Sequence, residues 1–286
     1  MSEPHEDPRP TGGDAPPVCP RHPDRVSYVR CQRCGRPACP DCQRPAAVGV
    51  HCVDCVAAAS KTVRPTRSAL GARLGSGRPV LTMGIIGLSV ISYLLQVTVG
   101  WAWEGLLIFS PAAGYSEPWR FLTAAFLHST GAVLPLHLMF NMYALWLVGP
   151  FLESMLGRGR FIALYVLSAI GGSVAMVLTG DLFQWVVGAS GAVFGLFGAI
   201  LVILHRLGRD ARQILLFLGL NAVLGFVLPG IAWEAHLGGL VIGALLGAAF
   251  AYAPKDRRTL VSVVAVVGAA LLLVALTLVG YAVLLA

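Results

Sequence analysis

Charge is scarce in this chain. Of its 286 residues only 12% are Asp, Glu, Lys or Arg, against 56% that are hydrophobic, and that balance excludes a single soluble domain. Cysteine is missing from everything beyond residue 55. The opening MSEPHEDPRPTGGDAPP lacks the apolar core of a signal peptide, which argues against secretion of this end. Residues 1–17 are expected to be disordered.

What is present is distributed unevenly. All seven cysteines and 12 of the 21 Lys and Arg residues lie in the first 78 positions, so that stretch reads as a polar appendage on a membrane body. From Pro79 onward seven apolar spans are read, at 80–99, 135–155, 160–179, 187–205, 213–229, 234–253 and 259–284, each near the ~20 residues that cross a bilayer as a helix. A long Trp-rich connection separates the first two. The fold class is therefore an all-α polytopic membrane protein.

Basic residues orient it. Arg158, Arg160, Arg206, Arg209, Arg212, Lys255, Arg257 and Arg258 all fall in connections on one side, and only Arg120 on the other. With the basic amino-terminal region on the side of the eight, the positive-inside rule places the amino terminus in the cytoplasm and the carboxyl terminus outside, in a multi-pass cell membrane protein. The net charge of +7 calls for no nucleic acid. Lys61, Arg64, Arg67, Arg73 and Arg78 are expected instead to meet anionic membrane lipid.

The appendage carries four two-residue-spaced pairs: Cys19 with His22, Cys31 with Cys34, Cys39 with Cys42, and Cys52 with Cys55. Eight ligands suffice for two tetrahedral Zn2+ ions. Disulfides compete as a reading, but seven is odd and the charge rule places the module in reducing cytosol. Interleaving of alternate pairs predicts Cys19, His22, Cys39 and Cys42 on one ion, and Cys31, Cys34, Cys52 and Cys55 on the other. His51 is left as a spare or outer group. The module resembles a B-box-type zinc finger over about 19–55, and the resemblance implies protein contacts, here with a cytoplasmic partner.

Within the membrane body, polar residues share one depth. Ser190 lies just inside the outer end of the fourth span, in GASGAVFG, and His236 within a turn of the outer start of the sixth. His137 and Asn141 stand four residues apart on one face of the second span. Such groups in lipid are costly unless they pair or face water, so a shared layer marks a functional site. Gly191, Gly195 and Ala199 in one span, and Gly239, Gly243 and Gly247 in another, recur every four residues and let backbones approach. That approach predicts a hydroxyl–imidazole hydrogen bond with Ser190 as nucleophile and His236 as base. No carboxylate is placed to complete a triad, so the unit is a dyad without a catalytic cofactor. Phe194, one turn along from Ser190, is expected to pack on the imidazole.

HLMFN at 137–141, GASG at 188–191, AHLGGLVIG at 235–243 and Trp119-Arg120 in EPWRFLTAAFLH together resemble the signatures of rhomboid intramembrane serine proteases, over about 80–253. The resemblance implies a six-helix bundle plus one extra carboxyl-terminal transmembrane helix. It implies Ser190 and His236 as the catalytic pair, His137 and Asn141 with Gly188 beside them at the oxyanion site, an opening toward the outer side, and transmembrane proteins as substrates. One departure is the nine-residue step from His128 to His137, where the family usually has about five; Pro135 can start the second span after this longer loop, and His128 is expected at the interface. His205 reads as a solvated loop residue. The domain plan is a disordered 1–17, a zinc-binding module at 18–58, a basic linker at 59–79, the core at 80–253, and a cytoplasmic loop with the seventh helix at 254–286. Two other functions are weighed: a catalytically silent membrane chaperone, and a partner-binding zinc module merely anchored by helices.

Overall fold

The computed structural model describes residues 16–62, 67–72, 78–131, 135–179, 181–227, 230–284 and 286. Nearly all of the opening segment, with Arg64 and Arg73 of the basic linker, lies outside the described residues. The chain divides into two compact units, Met1–Pro65 and Thr66–Ala286.

In the first unit, strands β1 (Val18–Cys19) and β2 (His22–Val26) form one antiparallel hairpin, and β3 (Gln43–Pro45) and β4 (Val50–Cys52) another. Helix α1 (Val53–Thr62) follows and runs across residue 58, the expected end of the module. Among the described residues, the buried hydrophobic cluster of this unit is Ala38 and five cysteines, Cys19, Cys31, Cys39, Cys42 and Cys52. An apolar core this small does not hold a fold by itself.

The second unit is helical: α2 (Val80–Val99), α3 (Trp101–Leu107), α4 (Pro111–Ser116), α5 (Arg120–Thr123), α6 (Leu136–Leu156), α7 (Arg158–Thr179), α8 (Ser190–Arg206), α9 (Arg212–Val227), α10 (Trp233–Tyr252) and α11 (Arg258–Leu284). The seven longer helices coincide with the seven apolar spans. Among the described residues α2, α7, α10 and α11 are long and apolar enough to cross a membrane by length and composition; α8 and α9 are shorter, and α6 carries His137, Asn141 and Glu153 in its length. Leu88, Ile91, Leu216, Leu220, Val264 and Leu271 stand exposed on α2, α9 and α11, as befits faces turned to lipid rather than water. This is an integral membrane protein.

Helix α8 is the axis, buried continuously from Gly191 to Ile200. The four-residue glycine steps explain its pairing with α10. A Cβ added at Gly239 would run into the Gly191 carbonyl oxygen, one at Gly243 into that of Gly195, and one at Gly247 would come within 2.6 Å of Ala199 Cα. On its other side α10 meets α7, where a Cβ at Gly172 would reach 2.8 Å from the Ala235 carbonyl oxygen.

Polar groups tie the remaining elements. Glu153, buried on α6, accepts from the backbone N–H of Leu81 (3.1 Å) and Thr82 (3.0 Å) and from the Thr82 hydroxyl (2.9 Å). A carboxylate thereby satisfies the orphan donors at the amino end of α2. The Trp-rich connection folds as α3–α5, fastened by buried Arg120, which donates to the carbonyls of Ile108 and Gly105 at 2.7 Å each and pairs with Glu117. Arg120 is thus a structural clasp and not a free surface charge.

Candidate active site and metal-binding clusters

Gly188 takes φ +127°, a region that side chains disfavour. Its N–H donates to the Ala124 carbonyl at 3.0 Å, and α8 then starts at Ser190. The Ser190 side chain sits at a helix amino terminus, where first-turn N–H groups lack intrahelical acceptors. His236, in the first turn of α10, places Nε2 2.9 Å from Ser190 Oγ. The close seam between α8 and α10 makes this reach possible. Phe194 lies flat on the His236 ring, centroids 4.2 Å apart and planes 8° from parallel, and so fixes the imidazole plane.

His137 approaches from α6. Its Nδ1 accepts from the Ser129 N–H at 3.2 Å, which leaves Nε2 as the protonated nitrogen of the neutral ring. That edge lies against Gly188: an added Cβ there would sit 2.8 Å from Nε2 and 3.7 Å from Ser190 Oγ. Gly188 is bare so that the imidazole can lie where a side chain would be. Asn141 Nδ2 donates to the His137 carbonyl at 2.8 Å, one turn back along its own helix, and the group is largely buried. The structure therefore brings Ser190, His236, His137, Gly188 and Phe194 into one locality, with Asn141 one turn from His137 on α6.

His128 differs from expectation. It is wholly buried, not interfacial, with its ring edge-on to His137 at 5.3 Å. The cause is Gln96 at the end of α2, whose side chain accepts from the His128 N–H (2.8 Å) and donates to its carbonyl (3.0 Å). This double clamp holds the backbone inside before the longer loop begins. Gln96 and Glu153 were not singled out from sequence; the available signal was a lone amide or carboxylate inside an apolar run, which must find a partner.

In the first unit, ligand atoms of Cys19, His22, Cys39 and Cys42 lie within 4.8 Å of one another, as do those of Cys31, Cys34, Cys52 and Cys55. The grouping is the interleaved one, and His51 belongs to neither set. His22 Nδ1 stands 3.2 Å from Cys39 Sγ, 3.4 Å from Cys42 Sγ and 4.0 Å from Cys19 Sγ, and Cys34 and Cys52 sulfurs are 3.8 Å apart. Sulfur ligands at the corners of a tetrahedron around a metal about 2.3 Å away are separated by ~3.8 Å. Both sets fit a four-coordinate metal ion.

Backbone donors and burial spread the proton affinities of these thiols. The backbone N–H of Cys39 chiefly holds the Cys19 thiol down at about 6. Burial opposes ionisation of Cys31, yet backbone donors at Cys52, Cys34 and Arg33 bring it to about 6. Burial pushes Cys42 up to about 11, and the neighbouring Cys34, then burial, pushes Cys55 to about 12. A divalent cation held by either set would favour the deprotonated form of its thiols. Arg36 donates to Cys34 Sγ at 3.4 Å and lowers that thiol further.

A family model described as Rhomboid domain matches residues 115–253. Rhomboid protease GluP of Bacillus subtilis (strain 168) is 34% identical over 188 residues, 61% of this chain and 35% of that protein. The rhomboid-named YdcA of the same organism is 37% identical over 147 residues, 50% of this chain and 71% of its own length. Rhomboid protease AarA of Providencia stuartii is 28% identical over 239 residues, 70% of this chain and 83% of AarA. The chain thus spans about a third of the length of GluP.

Proposed function

This chain belongs to the rhomboid family, and from that premise we propose that it is an intramembrane serine endopeptidase acting on transmembrane segments through a Ser190–His236 dyad. The observation that carries the reading is the 2.9 Å approach of His236 Nε2 to Ser190 Oγ between α8 and α10, whose buried residues are all apolar. An alcohol and an imidazole in an apolar bundle are costly unless they pair or face water, and here they pair.

In this mechanism Ser190 Oγ attacks the substrate carbonyl carbon as His236 Nε2 takes its proton. The carbonyl oxygen becomes an oxyanion and meets the Ser190 backbone N–H at the start of α8, the His137 Nε2–H and the Asn141 carboxamide. His236 returns the proton to the departing amine, and an acyl-enzyme remains. Water, deprotonated by His236, then releases the acid and restores the serine. Phe194 keeps the ring in plane for both transfers. Water and the site opening are assigned to the outer side by the distribution of basic connections, and substrate is assigned a lateral approach past α9, whose Leu215, Leu216 and Leu220 are exposed. The first unit holds two structural Zn2+ ions in its two four-ligand sets and presents a cytoplasmic docking module, with Arg36 as an outer support for the thiolates.

The test is cleavage of a single-span substrate reconstituted with purified protein. Ser190→Ala is expected to abolish it, a loss of ~10⁴-fold or more; cleavage that persists in that variant contradicts the assignment.

A further inference from the structure

Helices α7 and α11 pack unevenly. Their carboxyl-terminal ends are locked together, for a Cβ at Gly280 would come within 2.7 Å of Val177 Cγ1, and the neighbouring Tyr281 hydroxyl donates to the Pro111 carbonyl at 2.8 Å. At their amino-terminal ends they part around a cleft of about 790 Å³. Arg67, Arg160, Lys255 and Arg258 line one part of it, and Val263 and Val267 another. The two valines follow Arg258 by roughly 7–13 Å along α11 at helical rise, so the lining passes from cationic to apolar along the helix.

The cations lack counter-charge. Asp256 also lines the cleft, but its carboxylate sits 3.5 Å from Arg257. Among the described residues no carboxylate lies within ion-pair reach of Arg67, Arg160, Lys255 or Arg258. Backbone carbonyls hold the two inner guanidinium groups in place instead: Arg160 donates to Leu156 (2.7 Å) and Leu70 (2.9 Å), and Arg258 to Ala69 (2.9 Å). Nη1 of Arg160 and Nε of Arg258 remain shut away without an acceptor. Desolvated cations with free donors are costly until an anion meets them, and the first turns of α7 and α11 add two positive helix ends.

We propose that this cleft binds the phosphate of an acidic phospholipid, its headgroup among the four cations and an acyl chain along Val263 and Val267. Free phosphate offers the same charge and acceptors, but it leaves the apolar wall unused. A headgroup at this place bridges α11 to α7 where the protein itself leaves them apart. The site is independent of the proteolytic reading.

Native mass spectrometry of the full chain, loaded with phosphatidylglycerol or phosphatidylcholine, tests it. One phosphatidylglycerol is expected to survive activation that strips phosphatidylcholine. In the double variant Lys255→Gln/Arg258→Gln its retention falls about 25-fold, ~fivefold per cation at ~1 kcal/mol each near an anionic headgroup. A control, Arg209→Gln/Arg212→Gln, keeps it. Val267→Trp leaves every cation and fills the apolar wall, so it too lowers retention, and it carries the test if the double variant unfolds. Equal retention of the two lipids, or undiminished phosphatidylglycerol in Val267→Trp, overturns the proposal. Displacement by inorganic phosphate that Val267→Trp does not weaken assigns the cleft to the free ion and overturns the lipid assignment.

Discussion

A proton on His236 Nε2 removes the acceptor that the Ser190 hydroxyl needs. Cleavage is therefore expected to fall at acid pH as the imidazole takes up a proton, and a rate undiminished down to the acid limit of the folded protein contradicts the general-base role. The supporting groups are graded. Removing one oxyanion donor, by His137→Ala or Asn141→Ala, is expected to slow turnover ~10²–10³-fold without abolishing it, read in single-turnover cleavage. Gly188→Ala probes position rather than chemistry: its methyl would press on the His137 ring at 2.7 Å, and a displacement of that size is expected to cost ~10²-fold while thermal unfolding stays cooperative. Ser190, His236, His137 and Asn141 were legible from sequence because each is a polar group stranded in an apolar run, whereas Gly188 and Phe194 could be placed only by their spacing from Ser190. The buried position of His128 was not, since it depends on Gln96 reaching across from another helix.

The glycine seam between α8 and α10 is the element that makes the pocket. Gly239→Val is expected to cost ~3 kcal/mol or more, lowering the midpoint of thermal unfolding in detergent, because the backbone of Gly191 stands where the side chain would go. Gly268→Val on α11, with no other group within 4 Å, is the matched control and is expected to be nearly neutral. Equal effects at the two sites would refute the seam. The seven long helices could be read as apolar runs because lipid selects for length and composition. Helices α3–α5 could not, since they are short, carry no clean period and owe their shape to Arg120 reaching the carbonyls of Ile108 and Gly105. The hairpins of the first unit likewise escape prediction: ligand spacing shows which cysteines gather, and the strands form to bring them together.

Across the whole molecule, the two units answer to different perturbations. Metal analysis of purified protein is expected to find about two zinc ions per chain. Chelation, or acidification that protonates the thiolates, should release them and unfold the first unit, seen as loss of its dispersed NMR resonances. Cleavage by a chain lacking residues 1–60 is expected to persist, as the pocket draws every member from the second unit. The most direct test of the account is labelling by a fluorophosphonate probe in membranes, with the modified residue located by mass spectrometry. The account predicts a single adduct on Ser190 that His236→Ala prevents. An unreactive Ser190, or one labelled equally well without the His236 imidazole, would contradict it.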